Sequence, residues 1–226
     1  LSGYQKAREL GMQVAVKMDS DDQMDPAYLA DLIEPILNGK ADYTKGNRFL
    51  HQAQLSSMPL RRRIGNLGLS FITKMASGYW NLFDPTNGFT ALNLEILPFL
   101  NQERIDRRYF FETSLLIELG LNRAVVRDVS IPARYPGSLS SLSETRSFFE
   151  FPPKLLAGTL RRVMYLYFLR DFSAVSLFLV SSLVCILFGT IWGAVQWSIA
   201  SRLGVPASTG TVMIAVLPVI LGFQFL

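Results

Sequence analysis

The chain has 226 residues, half of them apolar and 18% charged, with a formal net charge of +4. Residues 1–171 hold 21 of the 22 Lys and Arg and all 18 Asp and Glu, whereas residues 172–226 hold only Arg202. That split excludes a disordered chain and argues against a wholly soluble one; the single Cys185 excludes a disulfide framework and a cysteine metal site.

In chain order, Tyr4 to Leu10 reads as a helix ending at Gly11, and Val14 to Met18 as a short buried strand. Pro26 suits the first turn of a helix with Asp25 as its N-cap. Leu29, Leu32, Ile33, Ile36 and Leu37 give its apolar stripe, and Gly39 its end. Pro35 interrupts that stripe without an evident reason. Ala41 to Arg48 reads as the next strand, so the alternation predicts an α/β sheet with parallel neighbours. Further on, Asp84 to Phe89 reads as a turn before a strand. Glu112 opens an apolar helix, Thr113 to Leu119, ended by Gly120, and Val125 to Pro132 is the next strand.

The end of the chain reads differently. Leu156, Leu160, Val163, Tyr167 and Phe168 recur at near-helical spacing with Arg161 and Arg162 between them. This fits either an amphipathic helix in the headgroup layer or one packed on the preceding domain. From Phe172 to Ser201 run 30 uncharged residues, where about 20 suffice to span a bilayer. Ser201 to Gly210 reads as a turn, and Leu203 to Leu226 is again uncharged. Two membrane helices in a hairpin are expected, with a buried helix pair as the alternative. Trp192 and Trp197 suit an interfacial belt, and Arg161, Arg162 and Arg170 outnumber Arg202, which puts the polar part in the cytoplasm.

The chemistry begins where the first strand ends, because ligands of open α/β sheets sit beyond the carboxyl ends of strands. Asp19 and Asp21 lie there two residues apart, followed by Asp22, Gln23 and Asp25. Such a pair can share one hard cation, Mg²⁺ or Mn²⁺, whose shell a substrate diphosphate completes. Acidic clusters are also common as solvated loops. Arg61, Arg62 and Arg63 stand in a row and would be attracted to anionic headgroups. Glu112 could be a charge favoured by its helix dipole. His51, the only His, is assigned no role.

The segments Met18-Asp-Ser-Asp-Asp-Gln-Met-Asp-Pro26, Lys45-Gly-Asn-Arg-Phe49, Asp84-Pro-Thr-Asn-Gly-Phe-Thr90, Phe110-Phe-Glu112 and Ile131-Pro-Ala-Arg134, with the apolar tail, occur in a specific order. In that order they resemble the family 2 glycosyltransferases of GT-A fold, in particular the membrane-anchored polyprenyl-phosphate branch that includes dolichol-phosphate mannose synthase. The resemblance implies a Rossmann-like nucleotide-diphospho-sugar transferase domain over 1–145. An amphipathic juxtamembrane helix over 146–171 and a transmembrane hairpin over 172–226 would follow. The family's first strand and its acidic-Gly-Ser loop are absent, which implies an N-terminal truncation.

Carried over by motif, Asp19, Asp21 and Gln23 resemble the metal and diphosphate ligands, with Asp21 at the catalytic centre. Arg48, Arg62 and Arg134 resemble the cations on the donor diphosphate or the lipid phosphate. Asn87 and Gly88 resemble the lining of the sugar pocket, and Asp84 and Glu112 the candidate catalytic acids. The family's Arg-x-x-Gly-x-Ser-Lys pattern here reads Arg134-Tyr-Pro-Gly137-Ser-Leu-Ser-Ser141, without the Lys.

The implied activity is metal-dependent, inverting transfer of a sugar from a UDP- or GDP-sugar to a polyprenyl phosphate. The protein would be integral to a membrane, such as a bacterial inner membrane, with its catalytic part cytoplasmic. No nucleic-acid partner is implied, and a homo-oligomer is compatible with the sequence. Two other readings stay open. One is transfer to a sugar hydroxyl, with Asp84 or Glu112 as base. The other is a non-catalytic membrane-anchored homologue.

Overall fold

A computed structural model describes residues 1–19, 24–48, 60–82, 84, 87–132 and 144–226, the side chains of 60–66 and 144–149 excepted. Two compact units emerge, Leu1–Arg162 and Val163–Leu226.

In the first unit, α1 (Ser2–Glu9) leads through Gly11, at φ +76°, into β1 (Val14–Lys17). Asp25 caps a short 3-10 turn by accepting from the Ala27 N–H at 3.0 Å, and α2 (Leu29–Leu37) continues from it. Pro35 lies in the last turns of α2. Its carbonyl accepts from the Lys40 and Ala41 N–H groups at 2.8 and 3.1 Å, so the residue that weakens the helix also anchors the exit. Gly39 makes that exit at φ +64°.

β2 (Tyr43–Asn47), β3 (Thr90–Asn93) and β4 (Val126–Ser130) complete a four-stranded sheet in the order β1-β3-β2-β4. The expectation of parallel neighbours holds for β2 and β4 but not for β1 and β2. β3 inserts antiparallel between those two, pairing Lys17 with Thr90 on one side and Lys45 with Thr90 on the other. The consequence is functional. The carboxyl ends of β1, β2 and β4 and the amino end of β3 meet along one edge of the sheet.

Alternation of side chains gives the sheet two apolar faces. Ala91 joins Leu32 and Ile36 of α2 on one face. Tyr43 and Leu92 join Tyr4 of α1 and Leu115, Leu116 and Leu119 of α4 (Phe111–Leu121) on the other. A further layer covers α4. Ala76 of α3 (Leu60–Ser77) and Phe151 and Leu155 of α5 (Glu144–Met164) pack on its Ile117 and Leu121. A helix enclosed on both sides is apolar all round, which is why α4 reads as a plain apolar run. Gly120 does not end it. A Cβ there would stand 2.0 Å from the Ser77 carbonyl oxygen, so Gly120 lets α3 approach.

Leu155 and Phe151 settle part of the amphipathic segment: that face packs on the domain, while Leu156 and Leu160 stay exposed. Lys154 fastens α5 through Asp106 at 2.5 Å, and Arg161 pairs with the buried Glu118.

In the second unit a π-helical turn, Tyr165–Arg170, precedes α6 (Ala174–Leu203). Ser173 and Ser176 form a capping box at its start, and Gly204 closes it at φ +66°. α7 (Thr209–Phe225) returns antiparallel, its Thr211 N–H donating to the Ser208 cap at 3.2 Å. Small residues let the helices touch. A Cβ on Gly189 would lie 2.5 Å from the Ala215 carbonyl, and one on Gly222 3.0 Å from that of Ser182. α6 is long and apolar enough to cross a membrane, and most of its large side chains are exposed, unlike those of a core helix.

Candidate functional site

The sheet edge assembles the site. Lys17 is the last residue of β1 and shares a face with Ala15, which packs toward the α4 side. Its Nζ donates to Asp19 Oδ1 at 2.6 Å and to Glu112 Oε1, in the first turn of α4, at 2.7 Å. Burial opposes the charge on Lys17, but the hydrogen bonds to Asp19 and Glu112 outweigh it and hold the ammonium above its usual pKa. Glu112 is 15% exposed and Asp19 44%, so the inner carboxylate is largely covered and the outer one faces solvent.

The second strand supplies a second pair. Arg48 directly follows β2, and its Nε and Nη2 reach Asp84 Oδ2 and Oδ1 at 2.7 and 3.2 Å. The Asp84 side chain is fully buried. The fork therefore fixes the plane of the guanidinium at the edge of the sheet.

The turn between them is held from beneath. Lys45, wholly buried in β2, donates its Nζ to the Asn87 carbonyl. Asn87 Nδ2 donates to the Gly46 carbonyl at 2.8 Å, and Asn87 Oδ1 accepts from the Phe89 N–H at 3.1 Å. The Asn87 side chain is thus spent on the fold of the turn. Burial lowers the Lys45 pKa to about 8, with Asp84 and Glu112 opposing the drop. Gly88 comes next. A Cβ there would fall 2.1 Å from Asp19 Oδ2 and 2.9 Å from Lys17 Nζ, so only glycine leaves that carboxylate oxygen its space.

Of the site residues expected from sequence, Asp19, Gly88 and Glu112 converge on Lys17; Arg48 joins Asp84; and Asn87 connects the two groups. Asp21, Gln23 and Arg134 lie outside the described residues, and of Arg62 only the helical backbone is described. Asp19 suits an oxygen ligand for a hard cation: it is half-exposed, with one oxygen toward Gly88. Among the described residues no group of three His, Cys, Asp or Glu gathers to hold a metal. Lys17 and Lys45 were not expected. The available signal was a cation inside each of two otherwise buried strands, which requires a carboxylate or carbonyl partner.

Residues 3–99 match the family model described as glycosyl transferase family 2. That segment is family 2 glycosyltransferase sequence. It contains Lys17, Asp19, Arg48, Asp84, Asn87 and Gly88, while Glu112 lies beyond it. Three relatives extend the match. A UDP-N-acetylglucosamine–dolichyl-phosphate N-acetylglucosaminyltransferase of Methanococcus voltae is 35% identical over 135 residues, 60% of this chain and 53% of its own. An uncharacterised protein of Methanocaldococcus jannaschii is 28% identical over 54% of this chain and 50% of its own. A dolichol-phosphate mannosyltransferase of Pyrococcus furiosus is 31% identical over 40% of this chain and 26% of its own. The chain spans about half the length of the first two relatives. The crystal structure of glucosyl-3-phosphoglycerate synthase from Mycobacterium tuberculosis covers 71% of this chain and 53% of its own, at 16% identity and a TM-score of 0.46.

Proposed function

We propose that the protein is a membrane-anchored, inverting glycosyltransferase of GT-A type that moves a sugar from a UDP- or GDP-sugar to a polyprenyl phosphate. The observation that carries this reading is the convergence of Lys17, Asp19 and Glu112 with the Arg48–Asp84 pair around Gly88. The mixed sheet and the family 2 match support it, as do the two relatives whose names give dolichyl phosphate and dolichol phosphate.

In this reading an oxygen of the lipid phosphate attacks the anomeric carbon. The bond from that carbon to the nucleoside diphosphate breaks, and the anomer inverts. A phosphate oxyanion needs no general base at neutral pH, so the protein's contribution is position and charge. The geometry favours this over a hydroxyl acceptor. Asp84 and Glu112, the carboxylates available as bases, are each held by a cation.

Asp19, with Asp21 and Gln23, would hold Mg²⁺ or Mn²⁺, which supplies charge neutralisation to the departing diphosphate. Lys17 fixes the direction of Asp19 and ties it to α4. Asp84 orients Arg48 toward a phosphate, and Arg62 and Arg134 complete the anion set. Gly88 leaves room for the sugar beside Asp19.

Residues 1–145 would form the catalytic domain, 146–171 the juxtamembrane helix and 172–226 a transmembrane hairpin. This keeps the site on the cytoplasmic face beside a lipid acceptor. A homo-oligomer is compatible with it.

The test takes the full-length protein in membranes with labelled nucleotide-sugar and extracts with organic solvent. Metal-dependent label in the lipid fraction supports the reading; label only in water-soluble glycan, or full activity in Asp19→Ala and Asp21→Ala, overturns it.

A further inference from the structure

α3 has two faces of opposite accessibility. Leu69, Thr73 and Ala76 turn inward, Ala76 within the cluster it shares with α4 and α5. On the other side Leu67, Phe71, Ile72 and Met75, at spacings of three and four, are exposed, Leu67 at 64% and Phe71 at 55%. Trp80, just past the helix, is 55% exposed and sets its ring edge-on to Phe71, with centroids 5.8 Å apart. A helix face open to water is normally polar, and a contiguous apolar patch of this kind marks an interaction surface.

We infer that this face of α3 lies in the headgroup layer of an anionic bilayer. The charge of the helix selects that occupant. α3 begins with Arg61, Arg62 and Arg63, carries Lys74 in its last turn and contains no acidic residue. Basic ends around an apolar stripe are the pattern of an interfacial helix, and a Trp at the edge is the usual interfacial anchor. A second copy of the chain meets the patch poorly. A two-fold contact through α3 sets the Arg-rich first turn and Lys74 against the same charges. The inference rests on the reading of the chain as membrane-bound and deepens it. α3 would be a second interfacial element, placed directly after the loop that follows Arg48 and presented by the catalytic unit itself.

The test uses the full chain with Trp192→Phe and Trp197→Phe, leaving Trp80 as the sole tryptophan. The protein is placed in phosphatidylcholine–phosphatidylglycerol vesicles containing lipids brominated near the headgroup end of the acyl chain. Expected is a loss of Trp80 emission to the brominated lipid with little loss to aqueous iodide. Leu67→Glu with Phe71→Glu, or the milder Phe71→Ser, should reverse that order, and neutral vesicles should weaken the bromine effect. If iodide quenches Trp80 and brominated lipid does not, α3 faces water and the inference is wrong. Protection from both quenchers, or a Trp80-proximal cross-link between two chains, means a protein surface covers the face and likewise overturns it. Flotation of the same vesicles at alkaline pH reports anchoring separately. A chain that floats while Trp80 remains open to iodide refutes the α3 inference and leaves the anchoring intact.

Discussion

Lys17 joins two carboxylates that are far apart in sequence, lying 2.6 Å from Asp19 and 2.7 Å from Glu112, 95 residues beyond it. The bridge couples the end of β1 to the first turn of α4, and the cation between two anions relieves their repulsion. Lys17→Met leaves both carboxylates facing each other. Because the bridge is partly solvated, the expected loss of stability is about 1–2 kcal/mol. Lipid-linked transfer should fall about tenfold or more, equivalent to about 1.4 kcal/mol of barrier. Lys17→Arg should recover part of that rate. Chemical denaturation followed by near-UV circular dichroism, together with the solvent-extraction assay, measures both. Unchanged transfer in Lys17→Met would show that the bridge does not set the site.

Asp84 and Arg48 form the second pair, and here the carboxylate has no solvent at all. Removing one partner leaves the other charge poorly compensated, so Asp84→Ala should cost about 3 kcal/mol. A double-mutant cycle with Arg48→Ala should give a coupling of about 1–3 kcal/mol. The stated role of Asp84 is to aim Arg48, so at equal folded fraction Asp84→Asn should raise the KM for the nucleotide-sugar more than it lowers kcat. Additive single effects in the cycle would rule that role out.

Gly88→Ala tests the space beside Asp19. The added methyl would sit 2.1 Å from Asp19 Oδ2, and the carboxylate must swing away. Expected is a loss of transfer of about 100-fold, the scale of a misplaced reacting group, with a stability loss of about 1–2 kcal/mol from overpacking. Gly3→Ala, in α1 with open space around it, is the control and should change neither by much. Equal rates for Gly88→Ala and the parent would mean that Asp19 keeps its place despite the methyl.

Local patterns in the sequence sufficed for α1, α2, β1, β2 and α4, because period, caps and turn glycines act within a few residues. The Asp25 cap and the Gly39 exit came out where the residue types put them. Three features depended on distant partners and were not legible. β3 sits antiparallel between β1 and β2 through backbone hydrogen bonds that no periodicity records. Gly120 serves the approach of Ser77, about forty residues earlier, and not the end of its own helix. Lys17 and Lys45 looked like ordinary strand cations until Glu112 and the Asn87 carbonyl supplied their partners. The sheet-edge location of Asp19, Arg48 and Gly88 was legible, since chain direction alone puts strand ends together.

Lys45 gives a pH dependence with a definite sign. Its folded pKa is about 8, lowered by burial, against an unfolded value near 10.4. Between those values the folded protein has released the proton and the unfolded chain still binds it. Stability therefore rises with pH across this window, and at neutral pH the buried ammonium is a net cost. The full gain is about 3 kcal/mol, at about 1.4 kcal/mol per pH unit. In Lys45→Met the term disappears, although the Asn87 carbonyl loses its donor. The parent should thus gain stability relative to Lys45→Met as pH rises from 7 toward 10, read as the difference in unfolding midpoint at each pH. A difference that stays flat across that range would mean Lys45 titrates as an exposed lysine does. The buried clamp under Asn87 and Gly88 would then have to be assigned to Asn87 alone.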